Sequence, residues 1–271
     1  IFYFSIFSDL DPDNPKSLWK RIDFKLHGTR NQYHIWTANI LKFDFGNSFR
    51  DNEPVIDKLK RRIPVTMIIN IISLLIAYCI AIPLGIYSAV KQNSFFERFS
   101  TFIVFMLYSL PSFWVGIMLI QLFTVHLDIL PASGTGGITH YIMPAFTLGW
   151  FVTAGVMRLL RSSMLEVMDS EFIKLARIKG VPEWKIVWKH TLRNALIPVL
   201  TFSGTYFAAF ITGAILVETV FAWPGVGRLV YDSIIWRDFP VLQSLILLIA
   251  TVVIVVNLMI QQLAPAPIHV I

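Results

Sequence analysis

The chain is poor in charge. Asp, Glu, Lys and Arg make up 15% of its 271 residues, against about 25% in ordinary globular proteins. That deficit, with 55% hydrophobic residues and a mean hydropathy of +0.64, argues against a soluble enzyme. One cysteine, Cys79, stands inside an apolar run, so neither an intrachain disulfide nor a cysteine metal site can form. The six histidines show no ligand spacing and no His-Glu-x-x-His pattern, so no metal site is expected. Gly-x-Ser-x-Gly is absent as well, and with it the signature of one serine hydrolase class. Ser133-Gly134-Thr135-Gly136-Gly137 lacks the Gly-Lys-Ser/Thr that completes a phosphate-binding loop, and reads as a turn. The net charge of +6 does not by itself point to nucleic acid, because basic residues in a membrane protein mark cytoplasmic loops.

What the chain has instead is a series of runs free of Asp, Glu, Lys and Arg: residues 63–90, 99–127, 141–157, 194–217 and 239–271. A helix needs about 20 apolar residues to cross the roughly 30 Å hydrocarbon layer. The expected fold is therefore an all-α, polytopic helical membrane protein. Residues 1–8 are expected to be the end of a truncated first span, giving about six, with no signal peptide. Residues 9–62 are polar and rich in turn signals such as Asp11-Pro12-Asp13-Asn14-Pro15.

Basic residues in the short connections set the orientation. The 158–193 loop carries eight and the 91–98 loop two, whereas 128–140 has none and 218–238 only Arg228 and Arg237. The first two loops are therefore cytoplasmic, and by parity residues 9–62 form a periplasmic segment. The 11 basic residues between Ser8 and Arg62 pull against this, offset by 8 acidic ones.

Pro83, Pro111 and Pro144 lie in or at the ends of spans, where each removes a backbone donor. Pro111 is nearest mid-span. Membrane helices tolerate such a break where a neighbouring helix or a wet cavity satisfies the freed carbonyl. Ser109, Pro111, Ser112 and Trp114 are thus pathway or gate candidates, with a simple packing kink as the alternative. Gly204 with Ala208, and Ala209 with Gly213 beside Ala214, place small residues four apart, a spacing that lets helix backbones approach closely within or between chains.

The loop of 158–195 is the most informative segment. Leu165, Met168, Phe172, Leu175 and Ala176 suggest one apolar stripe of a first helix running to Gly180, which stands as a C′ residue. Pro182 then opens a second helix at N1, through Trp184, Val187 and Trp188. Two short amphipathic helices facing the cytoplasm form either a docking knob for a soluble protein or a helix lying on lipid. The Gly break and Pro restart favour the knob.

Arg177-x-Lys179-Gly180-x-x-Glu183-Trp184, followed by Lys189-His190-x-x-Arg193-Asn194-Ala195-x-x-Pro198, resembles the cytoplasmic EAA loop of ABC importer permeases. The chain is similar to the dipeptide, oligopeptide and nickel permease family, B-type subunit. Phe43-Asp44-Phe45-Gly46-Asn47-Ser48, Ile82-Pro83-Leu84-Gly85, Pro111-Ser112-Phe113-Trp114 and Leu130-Pro131-Ala132-Ser133-Gly134 match in order. So do Arg161-Ser162-Ser163, Val217-Glu218-Thr219-Val220-Phe221, Trp223-Pro224-Gly225-Val226-Gly227 and Arg237-Asp238-Phe239-Pro240. The likeness runs from about Phe43 to Leu263. Lys174 and Leu175 stand where the wider superfamily has Glu and Ala.

This resemblance implies a type I ABC importer permease fold over 63–264, with 265–271 an uninterpreted tail, in a bacterial inner membrane. It implies half of a translocation pathway for short peptides, no catalytic residue and no cofactor in this chain. The implied partners are a second permease of the same family, two ABC ATPase subunits holding ATP and Mg, a periplasmic substrate-binding protein, the peptide substrate and membrane lipid, with no nucleic acid. The coupling loop would act through Glu171, Lys174, Arg177, Lys179 and Gly180, with Phe172, Leu175 and Ala176 as its side to be buried. Glu218 is a further pathway candidate, read towards a substrate amine, as a binding-protein contact, or into an ion pair of the outer loop. Trp223, Pro224, Gly225, Arg237 and Asp238 belong to that loop, and Trp223-Pro224-Gly225-Val226-Gly227 reads as a re-entrant or lid-like loop on the outer opening. The rival function, a stand-alone proton-coupled carrier, needs ionisable residues at mid-membrane, and the charge-free spans supply none.

Overall fold

The computed structural model describes residues 32–263, excepting the side chains at 32–35, 107, 205, 207–213, 260, 261 and 263. The expected ends at 1–8 and 265–271, and the small-residue pairs involving Ala208, Ala209 and Gly213, lie outside what is described. Within it the secondary structure is helical; the Asn47–Pro54 bridge is the single β pairing among the described residues. In chain order the helices are α1 (Gln32–Leu41), α2 (Val55–Val90), α3 (Phe95–Tyr108), α4 (Ser112–Leu119), α5 (Thr139–Met168), α6 (Glu171–Ile178), α7 (Leu192–Val220), α8 (Val226–Ile235) and α9 (Phe239–Leu263). By contact the chain falls into two compact units. One holds the described residues up to Arg61 with Asp232–Ile246; the other holds Arg62–Tyr231 with the chain from Leu247.

α2, with 36 residues, is about 54 Å long at 1.5 Å per residue, longer than a bilayer core is thick. It starts eight residues before the charge-free run. Pro64 and Pro83 lie inside it. α5, with 30 residues, is the centre of the second unit. Its buried residues include Met143, Ala145, Leu148, Val152, Val156, Leu160 and Met164, and a helix enclosed on most faces by other helices has this pattern. α9 is the opposite case: Ile246, Ile254, Val255, Leu258 and Met259 are exposed, as lipid-facing positions are.

The second apolar run is not one helix. Leu110, ahead of a proline ring, is pushed out of helical geometry, and Pro111 itself is extended (φ −61°, ψ 137°). α3 therefore ends at Tyr108, and the chain restarts at Ser112 with the Pro111 carbonyl accepting from Val115 N–H (3.1 Å). α4 then widens into a π-helical end, Ile120–His126.

The cytoplasmic loop also departs from expectation. Leu165 and Met168 belong to α5, and the chain breaks at Asp169-Ser170, so α6 is a separate helix rather than the end of one stripe. Ser170 is extended (ψ 151°), and its carbonyl accepts from Ile173 and Lys174 N–H. Its hydroxyl donates to the Val167 carbonyl and caps no amide of α6, and a serine gives little warning when the residues around it keep a helical period. Pro182 is the N-cap of the next helix, not its first residue. That helix passes from Glu183–Lys185 through a π segment, Ile186–Thr191, into α7, so knob and span are one continuous rod.

Candidate functional site

α6 ends as its sequence requires. Gly180 takes φ +75°, a conformation glycine adopts without the clash a Cβ would bring. Val181 N–H donates to the Ala176 carbonyl (3.1 Å) and Gly180 N–H to that of Arg177 (2.9 Å), the paired closure that satisfies the last helical carbonyls. Across this turn Arg177 Nε meets Glu183 Oε1 at 2.8 Å. Lys174 lies 3.1 Å from Glu171 and 3.4 Å from Asp169, and the hydrogen bond to Glu171, helped by the Asp169 charge, raises the Lys174 pKa. These polar groups are exposed and rigidify the knob only modestly.

The apolar residues of α6 divide between two faces. Ile173 is fully buried against its own chain and Ala176 half-buried, while Phe172 (48%), Leu175 (55%) and Ile178 (80%) stand in the open. The side to be buried is thus split: Ala176 joins Ile173 inside, and Ile178, which the sequence pattern did not single out, joins Phe172 and Leu175 outside. Spacings of three residues align these outer side chains along one helix face. Three large apolar side chains in a row stand out on a charged loop.

Where Pro111 breaks the second run, the structure opens a cavity of about 430 Å³ lined by Tyr108, Ser109, Leu110, Pro111, Ser112, Thr147, Leu148, Trp150, Phe151 and Tyr206, within the usual range for small-molecule sites. Ser109, Pro111 and Ser112 are brought together there. Trp114 is not; it is 42% exposed elsewhere on α4. The aromatic wall was missed from sequence: Tyr108 stacks on Phe151 (4.3 Å), and Phe151 approaches Tyr206 (6.0 Å). Three helices supply these rings, and no local spacing links them.

Glu218 is fully buried, and its hydrogen-bond partners are not those of an ion pair within the outer loop. Its carboxylate accepts from the Thr66 hydroxyl (2.6 Å) and the Arg228 main-chain N–H (2.9 Å), not from a guanidinium. Thr66 Oγ1 in turn accepts from Val226 N–H (2.7 Å). Glu218 therefore clamps the first turn of α8, where unpaired amides favour an anion, and fastens it to α2. A Cβ added to Gly225 would lie 2.1 Å from the carboxylate, so only glycine fits. Trp223 is also fully buried, edge-on to Tyr141 at 4.7 Å. The Trp223-Pro224-Gly225 segment is thus packed into a corner of the fold.

In the other unit Asp238 is buried. Its carboxylate takes the Ser48 hydroxyl and the Phe49 N–H (3.0 Å), while Lys58 Nζ reaches Ser48 Oγ (3.0 Å) and Asp51 Oδ2 (2.6 Å). Two motifs 190 residues apart are thereby joined. Arg237 is exposed, with φ +53°. The Lys58 hydrogen bond holds the Asp51 carboxyl down at about 2, below the ordinary 3.8. A lowered carboxyl pKa contributes stability above the ordinary value and loses it as pH falls through the lowered one. Protease resistance of the 42–58 segment is therefore expected to hold down to about pH 4 and to weaken between about pH 4 and 2. Asp51→Asn removes that dependence; a wild-type profile unchanged by the substitution contradicts the assignment.

No group of three or more His, Cys, Asp or Glu placed to hold a metal occurs among the described residues.

Comparison with known proteins places these features. The family model described as "Binding-protein-dependent transport system inner membrane component" matches residues 81–266. The oligopeptide transport system permease protein AppB of Bacillus subtilis (strain 168) is 38% identical over 238 residues, covering 84% of this chain and 75% of that protein. The glutathione transport system permease protein GsiC of Escherichia coli (strain K12) is 40% identical over 236 residues, covering 87% and 77%. A membrane chain from a structure titled as inward-facing conformations of the MetNI methionine ABC transporter aligns at TM-score 0.66 and 18% identity, covering 76% of this chain and 94% of that one. That last likeness concerns the fold alone.

Proposed function

We propose, from the premise that this chain belongs to the binding-protein-dependent transport system inner membrane component family, that it forms half of a pathway for short peptides. It is a permease subunit of an ATP-driven importer in a bacterial inner membrane, not an enzyme. Peptide as cargo is supported by the relatives named for oligopeptides, glutathione and dipeptides. In this reading a second permease of the same family completes the pathway, a periplasmic binding protein delivers the peptide, and two ABC ATPase subunits bind and hydrolyse ATP with Mg.

The observation that carries the coupling role is the outer row of α6. Phe172, Leu175 and Ile178 are exposed, and the helix that bears them sits between α5 and the rod that becomes α7. An apolar helix face entering a groove on a soluble subunit is a standard mode of docking. Ile173 is buried against this chain, so a push on α6 is transmitted to the spans rather than absorbed by a loose loop. The polar ring of Glu171, Lys174, Arg177 and Lys179 orients the contact, and Gly180 fixes the angle at which the rod leaves it. Ser109, Pro111 and Ser112 line the pathway at the broken span, where freed backbone groups face a cavity instead of lipid.

Gly180 provides a direct check, because nothing lies within 4 Å of an added Cβ there and the cost of a side chain is conformational alone. Gly180→Ala is expected to cost about 1–2 kcal/mol in the local turn and to lower ATP-driven uptake. Gly180→Asn, which tolerates the left-handed region better, retains more uptake than Ala. Equal uptake for Ala and wild type contradicts a role for the angle.

The experiment for the assembly is purification of the tagged full-length protein in mild detergent, with mass spectrometry of what remains bound. A second permease and P-loop ATPases are expected. Recovery of this chain alone, active in uptake without ATP, overturns the reading.

A further inference from the structure

The lining of the cavity is mostly apolar and aromatic, yet among the described residues a cation stands at its edge. On α5, Thr147, Phe151 and Arg158 are separated by four and seven residues, spacings that put them on one helix face. Thr147 and Phe151 line the cavity. Arg158 follows two turns later, about 10 Å along the axis at 1.5 Å per residue. Its guanidinium lies over the ring of Tyr108, 5.8 Å from the centroid, and Tyr108 is itself a cavity wall.

Arg158 is exposed, and among the described residues it makes no ion pair. Arg161, almost one turn on, contrasts with it: Nε lies 2.8 Å from Glu97 Oε1, and Glu97 is buried. Arg161 is thus a structural cation with its charge answered inside the protein. Arg158 stands at the end of a charge-free run of a spanning helix, beside the cavity rather than against a carboxylate of its own chain. A tyrosine face beneath a guanidinium holds it partly in place through the ring quadrupole, and leaves its N–H fork free to take a planar anion through two parallel hydrogen bonds.

Resting on the peptide-importer reading above, we infer that Arg158, steadied on Tyr108, binds the C-terminal carboxylate of the peptide at the cytoplasmic end of the cavity while the aromatic wall takes its apolar side chains. Among the described residues no Asp or Glu lines the cavity, so no carboxylate there forms an ion pair with a peptide ammonium group. The chain therefore sets a direction for the cargo, carboxylate towards Arg158 and amino terminus towards the partner permease. Arg158 is a specificity-determining residue in this account, and the site selects free acids over amides.

The test uses the assembled importer in proteoliposomes with ATP inside the coupled compartment. Uptake of radiolabelled trileucine is compared with that of its C-terminal amide, each saturating the binding protein so that delivery does not discriminate. The wild-type complex is expected to favour the acid, Arg158→Gln to reduce acid uptake about tenfold and bring the acid-to-amide ratio near one, and Arg158→Lys to restore part of the ratio. Recovery of all subunits with the Arg158→Gln permease is expected to match wild type. An unchanged ratio in Arg158→Gln overturns this inference and leaves the importer reading standing. A loss that follows the content of anionic phospholipid instead of the peptide terminus overturns it in favour of a lipid headgroup as the anion. If the wild-type complex moves neither peptide, the importer reading fails, and this inference with it.

Discussion

Replacing Phe172 and Leu175 together by Asp is expected to strip the ATPase subunits from the complex and to abolish ATP-driven uptake while leaving the permease folded. Both side chains are exposed, so in the isolated chain the change costs little; surface substitutions away from special features usually stay within about 0.5 kcal/mol. In the complex they become the centre of a docking face. Burying a charge where an apolar side chain sat costs several kcal/mol, and an order of magnitude in affinity is lost for each 1.4 kcal/mol. Ile173→Asp is the contrasting variant. Ile173 is fully buried against its own chain, so its replacement should unfold the knob and lower the recovery of the permease itself. The two results separate docking from folding: co-purification of ATPase lost with full permease yield for the outer pair, yield lost for Ile173. ATPase retained by the outer pair contradicts the assignment of the face.

The second large effect belongs to Glu218. Glu218→Ala leaves the Thr66 hydroxyl and the Arg228 N–H without their acceptor in a fully buried place, and each unsatisfied group costs about 1–3 kcal/mol. Thr66 can turn to another partner only by releasing Val226 N–H, so the loss spreads to the first turn of α8. A fall in the detergent melting temperature of about 4–24 °C follows, given shifts of about 2–4 °C per kcal/mol for domains of this size. Glu218→Gln keeps one acceptor but turns an N–H₂ towards a donor, and should lie between. Gly225→Ala, whose Cβ would overlap the carboxylate at 2.1 Å, should behave like the alanine variant at Glu218. If Glu218→Ala melts with wild type yet loses transport, the carboxylate serves the pathway and not the corner.

Local chemistry wrote some of this plainly. Gly180 and Pro182 mark a turn by the conformations their own rings and hydrogens permit, and Pro111 breaks its helix wherever that helix packs. Charge-free length pointed to the long apolar helices α2, α5, α7 and α9, because hydrocarbon tolerates little else, but not to the break inside 99–127. The α6 face was harder. Asp169-Ser170 interrupts the helix without glycine or proline, so an apolar period that looked continuous over Leu165 to Ala176 is cut in two, and the phase of the second piece is reset. That reset sends Ala176 inward with Ile173 and leaves Ile178 outside.

Other features depend on contacts no local pattern encodes. Glu218 is a carboxylate at a span end, which a sequence presents as a functional charge; its meeting with Thr66, 152 residues away, makes it a clamp. Ser48 and Asp238 likewise stand in motifs whose pairing appears only when the chain is folded. The cavity needs rings from α3, α5 and α7, and of these only the break that admits them was visible beforehand. Arg158 had been one of eight basic residues in a loop; its place beside Tyr108 distinguishes it.

The measurement that bears most directly on the central claim is the energy source of uptake by the purified assembly in sealed proteoliposomes. With this chain, its partner permease, the ATPases and the binding protein present, accumulation of a labelled short peptide is expected to require ATP and Mg on the cytoplasmic side and to persist when a proton ionophore collapses the gradient. Accumulation that survives ATP removal and disappears with the ionophore would contradict the account and identify a proton-coupled carrier.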